Sequence, residues 1–407
     1  MSDFELQIAA PGTAIRMEPL GDTEPGNRAR TALPIYLDNH ALTPVDPRVA
    51  LAVHHEMSQF RGNPNSVDHM HGEWASRRLH TAATAVGQLF DVYAEDVRFT
   101  ASATEALRLA LAHAVQARRT RPLRVALSSI EHPALMDMAQ QAERAGAISL
   151  VWMACDERAR VRPDEVERAL SEGCELVCLI VANNEVGTVQ ALSVVSNLAQ
   201  AHGAALMLDA SQAAGRVPID NARLQADYLI LSGHKLYGPS GIGALIGPGL
   251  SDARFDWPAG GHEPTPNLPG AVGLGEACKL RQAEMVEDER QIGALRDRLQ
   301  ASLLDSVPDL VVNGDTDARL PGNLHISARN APNDQVVAAL RGKVSISTGA
   351  ACASGADASS HVLRAMGLPA WRQDSALRIG VGKFNTQEDI ELAAAAIARA
   401  ISDVRHG

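Results

Sequence analysis

Between residues 97 and 246, short and nearly continuous apolar runs alternate with helix-patterned stretches, and this alternation constrains the fold more than any other feature. The runs lie at 97–100, 125–127, 150–153, 176–181, 205–208, 228–231 and 244–246, with helical patterns such as 105–115, 163–170 and 192–202 between several of them. A strand that is apolar at successive positions has no solvent face. The pattern therefore predicts an α/β fold with a mostly parallel sheet covered by helices on both sides. Upstream, Asp46-Pro47 supplies a cap and a first-turn proline, and Val49, Val53 and Met57 keep helical spacing. A second helix is predicted over 74–90. A long helical stretch over 272–304 leads to a different texture, with runs at 310–312, 324–326, 344–346 and 377–379 and helices near 335–340 and 387–401. That texture predicts a smaller α+β domain. The expected organisation is a loose extension over 1–34, a large domain over 45–288, and a small domain built from 35–44 and 289–407.

Of the 407 residues 46% are hydrophobic, enough to bury a substantial core. No apolar run approaches the ~18 residues of a membrane span, and Met1 to Glu24 lacks the basic-then-apolar order of a secretory signal. The expectation is a cytoplasmic protein without membrane contact. A formal charge of −11, from 37 basic and 48 acidic residues, argues against direct contact with a nucleic-acid backbone. The dense basic stretch Arg118-Arg119-Thr120-Arg121, with Arg124, reads as a solvated helix end. Five cysteines, an odd number without CxxC spacing, suggest neither a disulfide framework nor a zinc site. Cys174, Cys178 and Cys278 fall in core patterns. Cys352 lies among small residues in Ser347-Thr348-Gly349-Ala350-Ala351-Cys352-Ala353-Ser354-Gly355, a setting that predicts an accessible thiol.

Chemistry-bearing residues cluster where the predicted strands end, which is where open α/β sheets bind ligands. Ser232-Gly233-His234-Lys235 closes one apolar run and opens a Gly-rich loop. A lysine partly stripped of water there can attack a carbonyl, and an aldehyde cofactor held as a Schiff base is the natural candidate; the same pattern also describes an ordinary strand-end lysine. Ser232 and His234 are placed to bind phosphate. Thr100-Ala101-Ser102-Ala103-Thr104-Glu105 joins a strand to a helix and serves either as a phosphate site at a helix N-terminus or as a plain N-cap. Glu131-His132-Pro133 follows another strand; a lone histidine there is usually structural. Asn183-Asn184-Glu185-Val186-Gly187 follows the most apolar run, where amides form turns or donate to a phenolate oxygen. Asp209 ends a further run, with Gln212 just after it. A carboxylate in that position needs a partner, and a protonated pyridine nitrogen would be a fitting one.

In this order the residues resemble the cysteine desulfurases of the class V aminotransferase superfamily, enzymes of the fold-type I group that use pyridoxal 5′-phosphate (PLP). The likeness runs from Tyr36 nearly to the C-terminus. It includes Tyr36-Leu37-Asp38 with Thr43-Pro44, Gly62-Asn63-Pro64-Asn65-Ser66 with His69, the strand-end segments above, Cys352, His361-Val362-Leu363-Arg364-Ala365-Met366-Gly367 and Leu377-Arg378-Ile379-Gly380. The spacing from Cys352 to Val362-Leu363-Arg364 is similar to that of the longer-loop group I enzymes. The resemblance implies a seven-stranded, mostly parallel sheet in the large domain. It further implies that Lys235 holds the cofactor and moves protons at the substrate Cα, and that His132 stacks on the ring and assists acid–base steps. Asp209 would pair with the ring nitrogen, Asn184 and Gln212 would contact the phenolic oxygen, and Thr104, Ser232, His234 and the Ala103 amide would hold phosphate. Arg378, with Asn184, would bind the carboxylate of L-cysteine. Cys352 would take its sulfur as a persulfide for an acceptor protein, leaving L-alanine. A homodimer is implied as well.

Three departures from the family pattern stand out. Ala101-Ser102-Ala103-Thr104 replaces a glycine-containing phosphate turn. Asn39-His40-Ala41-Leu42-Thr43 replaces a run ending in two threonines, and brings His40 toward the substrate. Gly260-Gly261-His262-Glu263 runs almost directly into Pro264-Thr265-Pro266-Asn267-Leu268-Pro269, shortening the loop whose threonine reaches a neighbouring subunit's phosphate; Asn267 or Thr265 would have to replace it. The altered loop at 260–269 and His40 keep another reading open, that of another PLP-dependent C–S or C–Se lyase, an epimerase or an aminotransferase; a third reading, a weakly active scaffold in a sulfur relay, is opposed by the intact lysine, aspartate and cysteine.

Overall fold

The structure, a computed structural model, describes residues 33–116, 122–250, 253, 264–348 and 360–406. Cys352, the segment 254–263, the basic run 118–121 and nearly all of the N-terminal extension lie outside the described residues. From Ile35 onward the described chain forms one compact unit.

Its strands, in chain order, are β1 (Ile35–Tyr36), β2 (Val97–Thr100), β3 (Leu123–Ser128), β4 (Ile148–Met153), β5 (Leu176–Ile180), β6 (Ala205–Asp209), β7 (Tyr228–Ser232), β8 (Gly243–Ile246), β9 (Leu310–Val312), β10 (Asn323–Ala328), β11 (Val344–Ser345) and β12 (Ala376–Gly380). Seven of them form the central sheet in the order β2-β8-β7-β6-β5-β3-β4. The pairs among β3 to β7 are parallel, and β8 runs antiparallel to both β7 and β2. The apolar runs anticipated in the sequence are these strands, each within two residues at either end.

Alternate residues of one strand enter different cores. On β5, Leu176 and Cys178 join a core with Leu107, Leu127 and Ile230, while Val177 and Leu179 join one with Ala126, Leu208 and Leu231. Both faces are dry, which is why these strands read as continuous apolar runs rather than alternating ones. Cys174, Cys178 and Cys278 are buried as expected. Burial raises the Cys178 thiol well above its ordinary range.

The helix Pro47–Gln59 begins where Asp46 predicts, with the Asp46 side chain accepting from the Arg48 amide. The next helix starts earlier than periodicity suggested, at Met70, because His69 caps it by accepting from the Gly72 amide through Nδ1. The long helix is Leu268–Ser306. Leu274, Ala277 and Cys278 belong to the core of the central sheet, whereas Ile292, Leu299 and Leu303 belong to a second core with Leu324, Ile326, Leu377 and Ile397. That second core is built on the antiparallel sheet β12-β10-β9 and the helix Gln387–His406. β1 pairs in parallel with β11, so the chain enters the unit beside its C-terminal third.

One glycine in this frame has no substitute. Gly187 has φ +77°, and a Cβ there would come within 2.4 Å of the Asn323 side chain, which donates to the Glu185 carbonyl at 2.9 Å. Gly203 has a similar φ of +65° but open space around it. Gly187→Ala should therefore lower stability by more than ~1 kcal/mol and by clearly more than Gly203→Ala. Urea midpoints of the two variants check this, and equal shifts would contradict it.

Candidate active site

The C-terminal ends of β2, β3, β5, β6 and β7 share one edge of the central sheet, and the predicted site residues follow those ends. The register makes them neighbours. Ile180 lies beside Asp209 and Asp209 beside Ile230, while Ser232 lies beside Gly243 and Gly243 beside Thr100. Lys235 ends a short 3-10 turn, Gly233–Lys235. The turn is tight because the Gly233 carbonyl accepts from both Leu236 and Gly238. Thr43 staples it from the other side: its backbone and hydroxyl both donate to the His234 carbonyl, and the hydroxyl accepts from the Tyr237 amide at 2.8 Å.

The Lys235 amine donates to the carbonyls of His40 at 2.5 Å and Ala41 at 2.8 Å. Attack on an aldehyde requires it to leave these contacts. Asp209 is buried and accepts from the Ser211 amide at 2.9 Å. Gln212, also buried, donates to the His40 carbonyl at 2.9 Å. His132 caps the helix Pro133–Arg144, its Nδ1 accepting from the Ala134 amide at 3.2 Å. Burial, helped by the nearby Lys235 charge, lowers His132 from its ordinary pKa despite the opposing pull of Asp209. Ser232 Oγ lies 3.0 Å from His234 Nδ1, and burial followed by the Lys235 charge brings His234 down to about 4. At the end of β2, the helix Ala103–Gln116 is capped by Ser102, which accepts from the Glu105 amide at 3.1 Å. Ala103 lies against Gly243: a Cβ on that glycine would come within 3.0 Å of the Ala103 nitrogen. Thr104 is exposed at this helix start. Asn183 is a turn former, its Oδ1 accepting from the amides of Glu185 and Val186. Asn184 is buried, and its Oδ1 has no partner among the described residues.

Arg378 is anchored by groups of its own chain. On β12 it is buried, donating through Nη2 to Asp38 at 2.9 Å and through Nη1 to the Asn184 carbonyl at 3.1 Å. A buried charge left unpaired costs several kcal/mol, so the Asp38 partner accounts for its burial. Its Nε has no partner among the described residues. Sequence reasoning also passed over Arg216. This residue is buried, and donates to the carbonyls of Asn39 and Lys235 at 2.9 Å each and faces His40 Nδ1 at the same distance. A charged residue directly after Ala213-Ala214-Gly215 is the signal that could have found it.

Two buried acids flank the site. Glu131 accepts from the Ile180 amide at 2.6 Å, and its Oε2 has no partner among the described residues. Glu185 accepts from the Ser360 hydroxyl at 2.5 Å, and burial raises it to about 7. Asn267, expected at the place of the cross-subunit threonine, caps the long helix of its own chain by accepting from the Gly270 amide at 3.0 Å. Cys352 lies outside the described residues, as does the first part of the shortened loop.

This geometry has counterparts among known proteins. The class-V aminotransferase family model matches residues 35–392. The cysteine desulfurase IscS of Shewanella baltica (strain OS223) is 34% identical over 385 residues, spanning 92% of this chain and 94% of that protein. A solved NifS-like protein superposes with a TM-score of 0.82 at 26% identity, covering 91% of this chain and all of the other. A structure of SspA in complex with cysteine superposes at 0.74 with 25% identity, covering 86% of this chain and 99% of that one.

Glu131 gives the site a measurable pH signature. Burial first, and the Asp209 charge second, push its carboxyl from an ordinary 4.5 up to about 8. Between those values the folded protein keeps a proton that the unfolded chain has lost. Stability contributed by this group is therefore present below about 4.5 and is lost as pH rises toward 8. Glu131→Gln has no such proton to release, so its urea midpoint should fall less between pH 5 and pH 8 than that of the wild type. Parallel profiles would refute the assignment.

Proposed function

Because the chain belongs to the class-V aminotransferase family, and within it to the cysteine desulfurases, we propose that it removes sulfur from L-cysteine using PLP, leaves L-alanine, and passes the sulfur to an acceptor protein. The observation that carries this reading is the convergence of Lys235, Asp209, Gln212, His132 and Asn184 on one sheet edge in a chain of that family. The residues present fit the cofactor. Asp209 is a buried carboxylate suited to a ring N–H, and Asn184 is a buried amide whose Nδ2 donors suit the ring oxygen. The Ala103–Gln116 helix start, packed close on Gly243, suits a phosphate, with Ser232, His234, Thr104 and the Ala103 amide around it.

When bound, PLP supplies an electron sink for the pair left at the substrate Cα. The chain's own residues do the rest. Lys235 Nζ would hold the aldehyde and carry the proton to and from the substrate Cα. Asp209 would keep the ring nitrogen protonated, Gln212 and Asn184 would orient the ring oxygen, and His132 would cover the ring with a neutral imidazole. Arg378, held by Asp38, binds the substrate carboxylate with a planar cation. The Cys352 thiolate then attacks the substrate sulfur: an S–S bond forms as the Cβ–S bond breaks, giving a Cys352 persulfide and, after proton return, L-alanine.

We read the protein as a homodimer. Leu51, Met57, Val67, Met70 and Trp74 are 60%, 69%, 83%, 50% and 42% exposed within one short stretch of chain. Such a concentration of apolar surface suits a subunit contact. No helix among the described residues is long and apolar enough to cross a membrane.

Alanine release from L-cysteine with a reductant tests the reaction. The wild type should produce alanine, Cys352→Ala should produce none while retaining the cofactor, and Lys235→Ala should carry no borohydride-fixed cofactor by mass spectrometry. Undiminished alanine from Cys352→Ala, or pyruvate in its place, would overturn the proposal.

A further inference from the structure

His40 stands between the two parts of the site and carries a hydrogen-bond donor that nothing among the described residues uses. The residue is fully buried, and its Nδ1 faces an Arg216 Nη1 at 2.9 Å. A guanidinium has only donors, so Nδ1 must accept, and a neutral imidazole then carries its proton on Nε2. The ring is neutral: burial first, then the charges of Arg216, Arg378 and Lys235, hold it well below its ordinary 6.5. Gln212 Oε1 also faces Nδ1, but at 3.3 Å it is the longer of two competing contacts, and the guanidinium donor at 2.9 Å decides the proton's place. The Nε2–H is thus a buried donor without a partner among the described residues.

Its neighbourhood says what it awaits. The ring carbon next to Nε2, Cδ2, lies against Gly380, where an added Cβ would come within 2.9 Å. Gly380 is two residues from Arg378 on β12, and the Nε of that arginine is a second buried donor with no partner among the described residues. Two unsatisfied donors in one water-poor corner, beside cations, call for an anion with more than one acceptor oxygen.

We propose that His40 donates its Nε2–H to the α-carboxylate of the bound amino acid, beside Arg378, and so is a specificity-determining residue of the substrate site. This rests on the amino-acid chemistry proposed above. A neutral, directional donor adds selection for a carboxylate without adding charge to a corner already rich in cations, and its place in the buried framework fixes where the carboxylate must lie.

The test contrasts two ligands that differ only by that carboxylate, L-alanine and ethylamine, titrated against the cofactor-loaded enzyme by calorimetry. His40→Asn keeps an acceptor near Arg216 but cannot reach the Nε2 position. His40→Gln places an amide N–H there. His40→Asn should weaken L-alanine binding about tenfold and leave ethylamine unchanged, and His40→Gln should hold L-alanine within about threefold of wild type. Wild-type L-alanine affinity in His40→Asn, an equal loss for ethylamine, or an equal loss in both variants would overturn the proposal, the last because an N–H restored at the Nε2 position would then have restored nothing. Desulfuration of L-cysteine by the wild type is scored separately: its absence would refute the reaction, while the contrast of ligands still decides for or against His40.

Discussion

The buried Arg216 guanidinium is the contact on which the site depends. It reaches three groups from two distant stretches of chain, the Asn39 carbonyl and His40 Nδ1 from one and the Lys235 carbonyl from the other. No carboxylate is among these partners. Burial accordingly disfavours its charge, and the set of acceptors, with the Tyr237 and Glu289 side chains nearby, offsets that cost. The arrangement is strict, since losing one acceptor would leave a charged donor dry. It fixes the lysine turn against the N-terminal segment and sets the proton on His40 in the same stroke.

A parallel device fixes the opposite wall. Asp38 and Arg378 are 340 residues apart and form a partly buried pair, and the second arm of the arginine reaches the Asn184 carbonyl. The residues that follow the parallel strands are thereby locked to β12, which belongs to the second core. The long helix Leu268–Ser306 carries the same coupling on a larger scale, since one end belongs to each core. Rigid supports of this kind place reacting groups more precisely than loops do.

Much of the fold was legible in the sequence because burial on both faces leaves a direct trace. β5 is apolar from end to end and β7 up to its closing Ser232, and Asp46-Pro47 marks a helix start by its chemistry alone. Helix ends set by a side chain from outside the apolar pattern were harder to place: His69 begins its helix at Met70, four residues before the apolar spacing becomes regular. Among the site residues, Lys235, Asp209, His132 and Asn184 were recognisable by their positions at strand ends. Arg216 and Asp38 were not, because their roles are defined by partners far away in sequence. Asn267 shows the same limit, since its cap on the long helix, accepting through Oδ1 from the Gly270 amide, is set by the fold around it.

The sequence by itself determined that this chain builds a parallel sheet with chemistry at one edge, because strand burial and strand-end residues are local properties. Tertiary structure alone decided which donors and acceptors meet. The tautomer of His40, the orientation of Arg378 and the raised pKa of Glu131 arise where segments converge and water is excluded. Electrostatic energies change severalfold in such places, and no local pattern of residues records it.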